Sequence, residues 1–121
     1  MKATEKGIKR IFNAFKYSYS GFISSFKSEE AFRQDLLFCL IFFVIALFLP
    51  CDVISKIILI FPLVLIIIME LVNTAIETVV DRISEEYHEL SKKAKDIGSL
   101  LVLLSFVFRA GVWFFMILSF I

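Results

Sequence analysis

ELVNTAIETVVDRISEEYHELSKKAKD, Glu70 to Asp96, decides how this chain is read. It follows directly on an apolar run, Ile57 to Met69. Glu70 therefore begins a series of acids where no solvent is expected. Asn73, Glu77 and Asp81 follow at +3, +7 and +11. Residues three, four and seven apart share one helical face. One stripe thus carries three carboxylates and an amide. Acids on a membrane helix are costly, and by default they mark a functional site.

The composition makes a membrane the natural solvent. Of 121 residues, 60% are hydrophobic and 15 are Phe, against four Gly and two Pro. A soluble domain of this length cannot bury that much apolar surface. The length allows one domain. The net charge of +1 says nothing about nucleic acid, and no nucleic-acid partner is expected. The polar start, MKATEKGIKR, lacks the apolar core and cleavage site of a signal peptide. If one helix carried both Cys39 and Cys51, they would lie about 18 Å apart along it, beyond disulfide reach. Cys39 reads as lipid- or core-facing packing and Cys51 as a loop residue.

Working outward, four helical segments emerge. Over residues 7–26, Ile8, Ile11, Phe12, Phe15, Tyr19, Phe22, Ile23 and Phe26 recur at helical spacing. Lys9, Arg10, Asn13, Lys16 and Ser20 lie off that stripe, as in a helix lying in the membrane interface. A polar hinge, KSEEAFRQD, spans Lys27 to Asp35. Leu36 to Leu49 alone would reach only about 21 Å as a helix, short of a bilayer core of about 30 Å. The first span must therefore recruit Ala31 and Phe32 and run over 31–49. Pro50-Cys51-Asp52 turns the chain. A second span over 53–80 is about 42 Å long, with Glu70 roughly 25 Å from its start, near the exit interface. Lys56 can snorkel at its entry, and Pro62 is a candidate kink. The helix is expected to persist to about Tyr87, with Ser91 capping the next one. The third span covers 97–121, with Gly98, Ser99, Ala110 and Gly111 as small packing residues.

The pattern predicts an all-α membrane protein, one domain over residues 1–121, with three spans and an amphipathic surface helix. Lys2, Lys6, Lys9, Arg10, Lys16, Lys27 and Arg33 precede the first span. Arg82, Lys92, Lys93 and Lys95 follow the second, and only Lys56 lies between them. The positive-inside rule puts the amino terminus and the acidic connector in the cytoplasm and the carboxyl terminus outside. Glu29 and the Glu70–Asp81 stripe then meet at one interface.

Carboxylates at a membrane surface suit Mg²⁺, which takes oxygen ligands and arrives with phosphates. Lys95 and Arg10 offer charge for those phosphates. Set among apolar neighbours, Glu70 is the acid best suited to take a proton from an alcohol. Metal, cationic clamp and base are the parts of phosphoryl transfer. There is no Gly-rich phosphate loop and no protein-kinase signature. His88 is the single histidine, with no zinc-spaced partner. The competing reading is a proton or cation pathway in a small cation-coupled transporter. Against it, the acids stop at one interface, and the charged connector is larger than a pore needs.

In EAFRQD, in ELVNTAIETVVDRISEEYHELSKKAKDIGS and around Trp113, the chain resembles the small integral-membrane diacylglycerol kinases of bacteria. The likeness runs from about Gly7 to the last span. It implies a homotrimer with active sites shared between subunits, in the bacterial inner membrane. It also implies phosphorylation of diacylglycerol to phosphatidic acid by MgATP, for lipid recycling. On this resemblance Glu70 matches the catalytic base and Glu29 and Glu77 the magnesium ligands. Asn73 matches a further polar residue of the site. Arg10, Tyr17, Glu29, Glu77, Glu86, Tyr87, His88, Lys95 and Asp96 match nucleotide-contacting positions. Arg10, Arg33, Gln34, Asp35, Lys56, Glu70, Ser99 and Trp113 match lipid-site positions. Asp35 stands where the family often has Glu, and Lys56 where it can have Arg. Arg109 departs from the pattern; it can snorkel, line a trimer interior or pair with a neighbour's acid. Gram-positive relatives resembling undecaprenol kinases tend to read Tyr-His-Pro-Leu where this chain has Tyr87-His88-Glu89-Leu90. That difference favours diacylglycerol over undecaprenol.

Overall fold

A computed structural model describes residues 6–121; Lys2, counted above for orientation, lies outside them. The described residues form four helices: α1 (Gly7–Ser28), α2 (Glu30–Phe48), α3 (Val53–Ile83) and α4 (Glu89–Phe120). α2, α3 and α4 are long and apolar enough to cross a membrane. α3 packs against both α2 and α4, and α1 meets the foot of α2.

α1 begins at Gly7, whose φ of 68° is a left-handed conformation open to glycine. No residue of α1 is buried. Its stripe of Ile8, Ile11, Phe12, Phe15, Tyr19, Phe22 and Phe26 stays exposed, so the chain itself does not cover that face. The hinge is tighter than KSEEAFRQD suggests. Helix continues through Ser28 and restarts at Glu30, leaving Glu29 alone in extended backbone, φ −115° and ψ 105°. Two contacts fix the bend. The buried Phe32 ring meets Phe22 edge-on at 5.7 Å. Arg33 donates to the carbonyls of Phe26 (2.7 Å) and Lys27 (3.1 Å), which α1 leaves unpaired at its end.

Asp52 caps α3 by accepting from the Ser55 amide at 3.1 Å. The hydroxyl and amide of Ser55 hold the Asp52 carboxyl below its usual range. α3 carries most of the core: Leu59, Pro62, Leu63 and Ile66 are buried on it. Pro62 has no amide to give the helix. The Ile58 carbonyl, four residues back, loses that bond, and at the next carbonyl, Leu59, the Trp113 indole N–H of α4 donates at 3.0 Å. Phe42 packs edge-on against Trp113 at 4.9 Å, and Cys39, Leu63 and Ile66 complete that cluster.

Two boundaries differ from the sequence expectation. α3 ends at Ile83, not near Tyr87. Ser84 is extended, and its hydroxyl accepts from the Glu86 amide at 3.0 Å, a local bond that competes with helix. α4 starts at Glu89, and its cap is His88 rather than Ser91: the His88 Nδ1 accepts from the Leu90 amide at 3.1 Å. The connector is thus 84–88, and the rest of the charged stretch belongs to α4.

Candidate active site at the acid end of the bundle

Each acid is placed by a separate feature of the chain. Glu70 is on α3, one turn beyond Ile66, and is 93% removed from solvent, with 7% exposed. Helix geometry then sets Asn73 and Glu77 on the same face in the next two turns. Glu29 arrives from the α1–α2 hinge, and Asp35 from the second turn of α2. The Glu70 side chain hydrogen-bonds Asp35, and the charges of Glu77 and Glu29 are felt there. Carboxyl groups from the hinge, α2 and α3 therefore lie within electrostatic reach of Glu70.

Among the described residues no lysine or arginine pairs with Glu29, Asp35, Glu70 or Glu77. The two ion pairs are both elsewhere: Lys95–Asp81 at 2.7 Å and Lys92–Asp96 at 2.7 Å. Glu30, the neighbour of Glu29, accepts from Gln34 on its own helix at 3.5 Å. Apart from the proton shared between Asp35 and Glu70, these carboxyl groups have no cationic partner, and gathering them is costly unless a cation joins them.

Magnesium fits this donor set. Glu29 and Glu77 offer only oxygen, the donor type Mg²⁺ takes, while no group of three or more His, Cys, Asp or Glu side chains among the described residues is placed to hold a metal ion by itself. Mg²⁺ favours such partial sites, since it keeps waters and takes phosphate oxygens as its other ligands.

A second surface adjoins the acids. An open cavity of about 380 Å³ lies between the end of α3 and the start of α4, lined by Asp81, Glu86, Tyr87, His88, Lys95 and Asp96 among others. Lys95 bridges it through Asp81, and Glu86, Tyr87 and His88 are exposed along it. Arg10 and Tyr17 are exposed on α1, and Ser99 is exposed on α4 one residue past the buried Gly98.

Other residues singled out by sequence lie apart from the acids or are engaged elsewhere. Arg33 is tied to the end of α1 and Gln34 to Glu30. Lys56, 14 residues before Glu70 on α3, donates to the Leu47 carbonyl at the opposite end of the bundle. Trp113 is bonded to Leu59 in the far half. Arg109 stacks over Phe42 (5.1 Å) and Phe106 (5.4 Å) and has no acid in an ion pair with it among the described residues.

Three relationships were missed from sequence. The Asp35–Glu70 bond joins residues 35 apart, and no linear pattern signals it. The packing of Asn73 on Gly98 is equally non-local. The Asp52 cap was legible, because Ser55 stands three residues after it at N-cap spacing.

Comparison with known proteins agrees with this arrangement of helices and acids. The diacylglycerol kinase of Escherichia coli strain K12 is 44% identical over 107 residues, covering 88% of each chain. That of Helicobacter pylori strain J99 is 40% identical over 108 residues, 89% of this chain and 84% of the relative. That of Pseudomonas aeruginosa is 44% identical over 95 residues, 78% and 77%. The prokaryotic diacylglycerol kinase family model matches residues 16–117, which include the hinge, the whole acid stripe, the connector and Trp113. With that span covered, the chain belongs to the prokaryotic diacylglycerol kinase family, as a multi-pass membrane protein.

Proposed function

We propose that this chain transfers the terminal phosphoryl group of ATP to the free hydroxyl of diacylglycerol, at the cytoplasmic face of a bacterial inner membrane. The product is phosphatidic acid, returned to phospholipid synthesis. The observation that carries the reading is the grouping of Glu29, Asp35 and Glu77 around Glu70, with no lysine or arginine among the described residues in an ion pair with any of the four. Such a cluster suits a cation-bound triphosphate.

Glu70 takes the proton of the lipid hydroxyl as its oxygen bonds the terminal phosphorus and the bond to the bridging oxygen of ADP breaks. Asp35 holds the Glu70 carboxyl in orientation through their hydrogen bond. Glu29 and Glu77 hold magnesium, which supplies neutralisation of the phosphate charge when bound. Glu86, Tyr87, His88, Lys95 and Asp96 around the connector, with Arg10 and Tyr17 from α1, take the nucleotide. Arg10, Arg33, Gln34, Asp35, Lys56, Ser99 and Trp113 serve the lipid. The depth of Glu70 suits the reaction, because a water-soluble nucleotide and a lipid alcohol share only the interface.

The working unit is a homotrimer with sites shared between subunits. An exposed apolar groove on α3, lined by Ile57, Phe61, Val64 and Ile68 among others, supports a neighbouring helix there. Crosslinking and mixing of inactive variants test this; full activity in an isolated monomer would contradict it.

The decisive assay offers labelled ATP and Mg²⁺ with diacylglycerol and undecaprenol in parallel. Diacylglycerol is expected to be labelled faster, and preference for the polyprenol would overturn the substrate. Ion flux in liposomes without any lipid phosphorylation would favour the transporter reading instead.

A further inference from the structure

Asn73 presents an anomaly within the site. Its Oδ1 is buried and is the one buried side-chain oxygen or nitrogen without a hydrogen-bond partner among the described residues. A buried polar atom left unpaired is destabilising, so its placement needs a reason. The reason lies across the α3–α4 seam. Gly98 is buried on α4, and a Cβ built there would collide with Asn73 Oδ1. It would also crowd Asn73 Cγ at 3.3 Å, whereas Ile76 Cδ1 at 3.6 Å is ordinary contact. The amide oxygen thus occupies the space that a side chain at 98 would fill.

The other end of the amide is placed differently. Asn73 Nδ2 makes no hydrogen bond among the described residues, yet it is not among the buried unpaired atoms. It is therefore open, on the helical face that carries Glu70 and Glu77 at −3 and +4. With the oxygen stopped against α4, the N–H donors are held on the side of the acids, where an anionic oxygen of a bound phosphate would lie.

We infer that Gly98 is a positioning residue for the phosphoryl-transfer site: by lacking a side chain it seats the Asn73 amide oxygen in the α3–α4 seam and holds the amide N–H donors toward Glu70 and Glu77. This rests on the lipid-kinase reading of the same site. The backbone of α4 is not what a methyl at 98 would strike. The obstructing atoms are the end of one side chain, which can rotate away. A methyl group there should displace Asn73 while leaving the helices packed.

The test is Gly98→Ala beside Asn73→Ala and the double variant, in the full chain in detergent micelles or liposomes. Gly98→Ala is expected to lower kcat for diacylglycerol phosphorylation by about 10²-fold, with KM for both substrates within two-fold. The double variant should be no slower than Asn73→Ala alone. The side-chain amide NMR signal of Asn73 should shift in Gly98→Ala. Additive losses, or wild-type kcat in Gly98→Ala, would overturn the inference. If Gly98→Ala does not fold, the double variant, which removes the obstructing amide, should recover folding; failure to do so would also overturn it. A wild-type protein inactive on diacylglycerol would defeat the kinase reading, and the Asn73 signal would still report on the seating of the amide.

Discussion

The two ends of the helical bundle handle polar groups in opposite ways. In the half away from the acids, polar side chains donate to backbone carbonyls. Trp113 gives to Leu59, Cys39 Sγ to Leu63 at 3.6 Å, Ser105 to Val102 at 2.6 Å and Lys56 to Leu47. At the acid end Arg33 and Thr78 also donate to carbonyls, but the acids themselves are arranged the other way. Glu29, Asp35, Glu70 and Glu77 bring carboxyl groups together, and no lysine or arginine among the described residues forms an ion pair with them. In a medium without water, a polar group must find its partner inside the protein or in a ligand. The far half is complete by that standard, whereas the acid end keeps carboxyl groups without a cationic partner, which under the proposed function a cation-bound phosphate would supply. Stability and chemistry are thus separated along the membrane normal.

Several variants can break or sharpen that contrast. The largest effect is expected at Glu70→Gln, which keeps the size of the side chain and removes the base. Lipid phosphorylation should fall by about 10²–10⁴-fold while the thermal unfolding midpoint changes little. Near-normal turnover would move the base elsewhere. Ile66→Ala, one turn away in the apolar cluster, should do the converse. It should cost about 2–5 kcal/mol in reversible unfolding, with kcat retained in the folded fraction. A collapse of kcat without loss of stability would show that the two halves are not separate.

Arg109 is the exception in the far half, and its sign can be argued. A guanidinium at the centre of a membrane helix costs about 2.5–3.5 kcal/mol on insertion scales. A stacking contact returns about 0.5–2 kcal/mol. Arg109→Leu should therefore stabilise the isolated subunit, by about 1 kcal/mol, in the same unfolding assay. Destabilisation would point to an acid supplied by a neighbouring subunit.

The smallest effect concerns the start of α3. The Asp52 carboxyl is held below its usual range by Ser55. Its cap therefore adds stability above the ordinary carboxylate pKa. That contribution is lost as pH falls through the depressed value. Exchange of the Ser55 amide should stay slow through the ordinary carboxylate range and quicken only below it. Exchange already fast at neutral pH would remove the cap.

Much of this was legible in letters alone, for reasons that can be named. Ile57 to Met69 is too apolar for water, and α3 follows from that run and from the Asp52 turn. Glu70, Asn73 and Glu77 share a face because helix geometry is periodic. The hinge was less legible. KSEEAFRQD is polar enough to be a loop, but Phe32 packing on Phe22 and Arg33 bonding to α1 let helix resume after one residue. The connector failed in the same way. EEYHELSKK carries no strong stop signal, and side-chain bonds of Ser84 and His88 chose the ends of α3 and α4.

By itself the sequence determined that this protein lives in a membrane, as helices, with a row of acids at one depth. Hydrophobic length and helical period are local properties, and each is written in consecutive residues. Only the tertiary structure decided which acids meet. Asp35 reaches Glu70 because α2 and α3 pack side by side, and Asn73 settles on Gly98 because α3 and α4 do. Those contacts depend on distances between helices, and no spacing within one helix encodes them.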